Sequence, residues 1–316
     1  MAAFFSQALR ALPNTARNNG DYADIRSMLN SGQANDAITA LKKILAANPQ
    51  DAQANNLLCR VHFQEQLWQD AAHACEAAVQ AQFDNSEFHD WLGRAYGEQA
   101  EHASMFNAYG IAKKVHSEFE TAVQLDAKNT AALADLGEFT VEAPSVLGGG
   151  LDKAQGLAEK MKPLDAGKYH ELLAQIAIKS KDNAAAEREL KLATVESNDP
   201  AQAWMNLASF YGKENNFPVM EQAVQHGIAV DTKHSSALVD GASTLMKYKH
   251  NLPLAETMLR QYLTSSNQTE DAPVFRVYVQ LGELLNMQGQ EQAAQQQYAI
   301  AKALASGYAA ANWHSD

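Results

Sequence analysis

Two cysteines, Cys59 and Cys75, have the types and spacing for the most definite chemistry in the chain. If the segment between them is a helical hairpin turning at Gln66-Leu67, they lie almost equally far from the turn and face one another. A disulfide there would close a loop of about 17 residues, which the loop-entropy view values at roughly 3 kcal/mol. The competing reading is two reduced thiols acting as small apolar core residues. Two cysteines are too few for a disulfide scaffold, and their spacing matches no zinc pattern.

Other chemistry-bearing residues are scattered. None of the ten histidines forms a pair three or four residues apart that could chelate a metal on one helix face. There is no nucleophile-elbow or dinucleotide fingerprint. Gly148-Gly149-Gly150 followed by Lys153 could offer backbone N–H groups to an anion, but no strand precedes it and the phosphate-loop ending is missing. A turn needing positive φ explains it better, with Asp152 near the next helix start. Glu187 and Glu189 read as a solvated face, and His89 and His170 as packed core histidines. These residues imply no catalytic site, no metal and no cofactor.

Composition narrows the partner class. Lys and Arg number 25 against 37 Asp and Glu, a net charge of −12, opposite to what tracks nucleic-acid phosphates. Hydrophobic residues make up 46%, enough for a large core. No window approaches the roughly 20 apolar residues of a membrane span. Residues 1–17 carry Arg10 and Arg17 and no acid, with Phe5, Leu9 and Leu12 at helical spacing. They read as a capping helix or a transit-like targeting segment. The compartment stays open between cytoplasm and, if an export signal has been removed, periplasm.

The elements that must position these residues are helices. Ala-, Leu- and Gln-rich segments carry apolar residues at three- and four-residue steps, punctuated at Asn48-Pro49, Asn85, Asn129, Pro163, Pro200 and Pro273. A pattern recurs. Trp204-x2-Leu207-Ala208-x2-Tyr211 and Tyr278-x2-Leu281-Gly282-x2-Leu285 open two units, and His89-x2-Leu92-Gly93-x2-Tyr96 opens another. Asn55-x2-Leu58-Cys59 pairs with Ala71-x3-Cys75-x2-Ala78, and His170-x2-Leu173-Ala174 with Ala186-x3-Leu190-x2-Ala193. Small residues at the eighth place let two antiparallel helices approach, and larger ones fill between hairpins.

This pattern resembles the tetratricopeptide-repeat family, with its period of about 34 residues. About eight units begin near residues 18, 52, 86, 130, 167, 201, 235 and 275. The resemblance implies an all-α, right-handed superhelical solenoid over 18–302, closed by a C-terminal cap at 303–316 that uses Tyr308 and Trp313. The segment with Ala112-Lys113-Lys114-Val115, Phe119-Glu120, Phe139, Ala143-Pro144 and Gly148-Gly149 is similar to an uncharacterised group of bacterial tetratricopeptide proteins, over about a quarter of the chain.

Breaks in the period are informative. Residues 97–111 add about ten positions and bring in Met105, Phe106 and Tyr109, which either wall a pocket beside the groove or merely lengthen two helices. Residues 144–151 form the glycine-rich connection already noted. In this family the first helix of each hairpin lines a concave face. Carried over position by position, that face includes Asn56 and Arg60, Asp90 and Arg94, Glu138, and Lys168. The family's clamp for a C-terminal carboxylate is not reproduced, since Leu57 and Leu172 stand where it needs polar or basic groups. The leading expectation is a non-enzymatic scaffold that binds a protein or peptide along those six residues. A small-molecule or lipid carrier with a pocket under 97–111 is the first alternative, and an enzyme with a composite site the second. An end repeat could also pair with another copy of the chain.

Overall fold

A computed structural model describes residues 15–313 of the chain. It contains eight antiparallel helix hairpins and a cap. The hairpins are α1 (Thr15–Asn30) with α2 (Ala34–Ala47), α3 (Ala52–Gln64) with α4 (Trp68–Ala81), α5 (Ser86–Glu101) with α6 (Met105–Leu125), and α7 (Thr130–Glu142) with α8 (Leu151–Met161). They continue as α9 (Ala166–Lys179) with α10 (Asn183–Glu196), α11 (Pro200–Lys213) with α12 (Phe217–Val230), α13 (Ala237–Tyr248) with α14 (Leu252–Thr264), and α15 (Val274–Met287) with α16 (Glu291–Leu304). The short α17 (Ala309–Trp313) follows, and no strand occurs among the described residues. Most of the expected segment 1–17, and the side chain of Trp313, lie outside the described residues.

Local sequence sets the helix boundaries. Asp51, Asn85, Asn129, Asp165 and Asp199 each precede a first helix and accept a hydrogen bond from a backbone N–H of its first turn. That satisfies donors the helix itself cannot use. Within six hairpins the turn places residues at positive φ: Gly32, Gln66, Lys181, Asn215 and Gly289 singly, and Lys249 with Asn251 between α13 and α14. Each such turn is sealed by a six-to-one backbone bond, as from Leu67 N–H to His62 O at 2.9 Å. The third hairpin lacks this turn because the added residues extend its helices, making α6 21 residues long. The fourth lacks it because the glycines intervene. Gly148 and Gly150 have φ of +100° and +148°, and a side chain on Gly149 would collide with Ala143 O. Lys153 Nζ donates to Gly148 O at 3.1 Å, so the lysine closes its own loop.

Packing places the odd-numbered helices inside. α3 packs on α5, α5 on α7, α7 on α9 and α11 on α13, while successive even-numbered helices make no comparable contact. The run of hairpins curves until its two ends meet. Asn35 Nδ2 donates to Ala303 O at 2.9 Å, and Ser306 Oγ donates to Asn35 Oδ1 at 2.8 Å. Gly307 N–H donates to buried Glu65 Oε1 at 3.0 Å. At the α1–α2 turn, a Cβ on Gly32 would lie 2.6 Å from Val274 N, so only glycine fits. The apolar core crosses this seam: Ile25 and Leu29 belong to one buried cluster with Phe275 and Tyr308. The expected solenoid is therefore a closed ring, its first hairpin resting on its last.

Candidate functional site: the inner face of the ring

Cys59 on α3 and Cys75 on α4 are bonded, with Cα atoms 5.2 Å apart, both fully buried. The bridge pins the second hairpin, whose first helix carries the most elaborate part of the inner face.

Gln53, Asn56, Arg60 and Gln64 share one side of α3, at steps of three and four residues. Four of the residues expected on an open concave face come together here, but three of them are covered. Asn56 is 0% exposed, Arg60 8% and Asp90 3%, while Arg94 is half-buried. Over Arg60 and Gln64 the cover is the connection between α14 and α15, residues 265–273. Arg60 grips both carboxylate oxygens of Glu270, with Nε to Oε2 at 2.9 Å and Nη2 to Oε1, and reaches Glu87 Oε1 through Nη1 at 2.8 Å. Gln64 Nε2 donates to Glu270 O at 3.1 Å and to Leu29 O at 3.3 Å. Trp91 lies between two guanidinium groups, 5.1 Å from Arg60 and 4.9 Å from Arg94.

Arg94 in turn holds Asp135 through Nε and Asp90 Oδ2 at 3.4 Å. Burial opposes the charge on Arg94, but Asp135 and Asp90 outweigh it and its pKa stands above its ordinary value. Asp90 is pushed up to about 7, chiefly by burial, with Arg94 opposing and Asp135 and Glu87 adding to the rise. Two guanidinium groups thus face an excess of carboxylates.

The rest of the inner face is open. Glu138 is exposed on α7, its carboxyl raised by partial removal from water and then by Asp135, Glu142 and Glu101, against Arg94. Glu98 is raised by burial and by Glu101, while His102 and, from across the ring, Arg276 oppose the shift. Lys168 stands apart from the arginines. It lines a cavity of about 400 Å³ with Glu171, Gln202, Asp240 and Asp271. Burial raises Glu171, against Lys168 and Asn206, and raises Asp240, against Gln202. The inner face therefore carries a graded field, strongly acidic over α5 and α7 and mixed over α9 to α13.

The insertion at 97–111 lengthens α5 and α6. Phe106 is 96% exposed, and Tyr109 lies in the open beneath Lys113 Nζ at 4.8 Å. Both are exposed, and the side chain of Met105 is outside the described residues. Glu189 is not the solvated residue that the sequence suggests: it meets His170 Nδ1 at 2.9 Å, and Glu196 meets Nε2 at 3.3 Å. Both nitrogens of His89 also meet acceptors, Glu118 Oε2 at 2.6 Å and Phe83 O at 2.9 Å. The Glu118 hydrogen bond holds the His89 pKa above its ordinary value against burial. Among the described residues, no group of three or more His, Cys, Asp and Glu could hold a metal ion.

Sequence reasoning passed over Glu270 and Asp271. A signal was present: the seventh and eighth units start near 235 and 275, some six residues beyond the period. The surplus is the connection that fills the ring.

The tetratricopeptide repeat family model matches residues 28–95. No curated protein matches the chain. Among solved structures, yeast Tom70 is 15% identical, with 89% of this chain and 58% of that one covered at a TM-score of 0.53. A thermophilic tetratricopeptide protein of Thermus thermophilus is 18% identical over 62% of this chain and 97% of its own, at 0.49. A tetratricopeptide repeat protein from Parabacteroides merdae is 12% identical over 94% and 96%, at 0.45. Residues 28–95 thus match the tetratricopeptide repeat family, and the likeness to Tom70 shows an all-helical repeat fold of the same kind over most of the chain.

Proposed function

We propose that this chain is a non-enzymatic scaffold that holds a protein or peptide partner on the inner face of its ring. The observation that carries the reading is the open, charged lining of α5, α7 and α9, where Glu101, Glu138 and Glu142 stand exposed and Lys168 half-exposed. The exposed carboxylates Glu101 and Glu138 call for basic groups on one part of a partner, and Lys168 on α9 calls for an acidic group on another. Such a field sets the orientation and on-rate of association more than its affinity. The Cys59–Cys75 bridge supports an oxidising compartment for this work, where disulfides persist.

Arg60 and Arg94 belong to the same surface but are poor first targets. Removing Arg94 leaves buried Asp90 without its cation, and removing Arg60 frees the Glu270 connection, so either change weakens the ring itself. Glu138→Lys and Lys168→Glu change exposed or half-exposed charges instead. Protein gently crosslinked in its native source should bring down a stoichiometric polypeptide. Each reversal should reduce that capture about tenfold or more, as expected for like charges set against each other, with helical circular dichroism unchanged. Capture indifferent to both reversals would place the partner elsewhere, and a bound small molecule with no polypeptide would replace the scaffold reading with a carrier.

A further inference from the structure

The connection from α14 to α15 is nine residues long, whereas the other connections between hairpins have three to six. Its sequence, Ser-Ser-Asn-Gln-Thr-Glu-Asp-Ala-Pro, offers almost nothing to a core. It is tethered behind by its own neighbourhood, with Thr269 N–H donating to Tyr262 Oη at 2.9 Å and Asn267 Nδ2 to Lys233 O at 2.8 Å. From there it crosses to α3 and is read in two ways at once. Arg60 takes the Glu270 carboxylate in a fork, and Gln64 takes the Glu270 main-chain carbonyl. A side-chain fork combined with an amide on the backbone is how an extended peptide is recognised.

The fit is incomplete. Among the described residues, both amide atoms of fully buried Asn56 lack a partner, as do Gln64 Oε1 on the same helix face and Thr269 Oγ1 on the connection. Buried polar atoms are normally paired, and leaving them unpaired is costly. The α3 face therefore has more hydrogen-bonding capacity than its intramolecular occupant uses. The occupant also adds Glu270 and Asp271 to a site where Glu87, Asp90 and Asp135 already surround the two arginines.

Resting on the scaffold reading above, we propose that the inner face of α3 and α5 is a docking surface for an extended polypeptide segment bearing adjacent carboxylates, and that residues 265–273 hold its place until a partner displaces them. Arg60 supplies the fork, and Gln64 and Asn56 read the backbone. The seam hydrogen bonds at Asn35, Ser306 and Gly307 do not involve residues 265–273.

The probe is the connection itself, made as a fluorescently labelled, acetylated and amidated nonapeptide, Ser-Ser-Asn-Gln-Thr-Glu-Asp-Ala-Pro. A tethered competitor acts at an effective concentration in the millimolar range, so wild-type protein should bind this peptide weakly. The full-length double variant Glu270→Gln/Asp271→Asn should bind it about tenfold tighter or more. Adding Arg60→Gln to that variant should abolish the gain, and so should replacing the peptide's acids by amides. Equal binding by wild type and double variant, or binding indifferent to Arg60, would overturn the proposal. Should the double variant fail to fold, hydrogen exchange on wild-type protein decides. Faster exchange at 265–273 on saturation with the nonapeptide supports displacement, and unchanged exchange refutes it. Partner capture lost on charge reversal at Glu138 and Lys168, with no effect from the peptide or the connection, would leave the scaffold standing and remove this docking surface alone.

Discussion

Asp90 concentrates the electrostatics of the ring in one side chain. It is buried on α5 within reach of one guanidinium and several acids, and titrates near 7 where a free carboxyl titrates near 3.8. Between those values the folded protein keeps a proton that the unfolded chain releases. Its contribution to stability therefore falls as pH rises from about 4 to about 7. Asp90→Asn removes the charge for good, while Arg94 keeps Asp135. The variant should be more stable than wild type at pH 7.5, with the difference closing at pH 4.5, measured as urea midpoints. A wild type that instead gains on the variant over this span would mean that the Arg94 pair outweighs burial. The residue types at this site were legible in the sequence, and so was their place on the inner face. The cover over Arg60 was not, because Glu270 lies 210 residues away along the chain and is supplied by a connection rather than a repeat position.

At the scale of elements, the hairpins are built by recurring local means: an Asx cap before the first helix in five of them and a positive-φ turn in six. These are local signals, which is why the unit starts could be read from the sequence to within a few residues. The second hairpin adds a covalent link between α3 and α4. Reducing it frees a loop of 17 residues in the unfolded chain and should cost about 3 kcal/mol of stability. The matching test is a thiol titration of denatured, unreduced protein. No reactive thiol is expected, together with a lowered unfolding midpoint after reduction. Two titrating thiols would leave the hairpin held by packing alone. The glycine connection was legible for the same local reason, whereas the exposure of Phe106 was not. Apolar residues at helical spacing suggest burial, but two added helical turns carry this one past its neighbours into solvent.

For the whole molecule, the decisive feature is closure. Curvature in a repeat protein is the sum of small rotations between neighbouring hairpins, and no single unit's pattern encodes that sum. Eight units happen to bring α1 and α2 onto α15, α16 and α17, burying apolar ends that an open solenoid would leave to solvent or to another copy. The ring also gives the scaffold its inner chamber, and gives residues 265–273 a surface within reach. Closure is tested most directly by trapping it. Asn35 and Ser306 are hydrogen-bonded to each other across the seam, 271 positions apart in sequence. Asn35→Cys/Ser306→Cys, oxidised at low protein concentration, should crosslink within one chain and run as a compact monomer on a non-reducing gel. No crosslink, or one that forms only between chains, would contradict the closed ring.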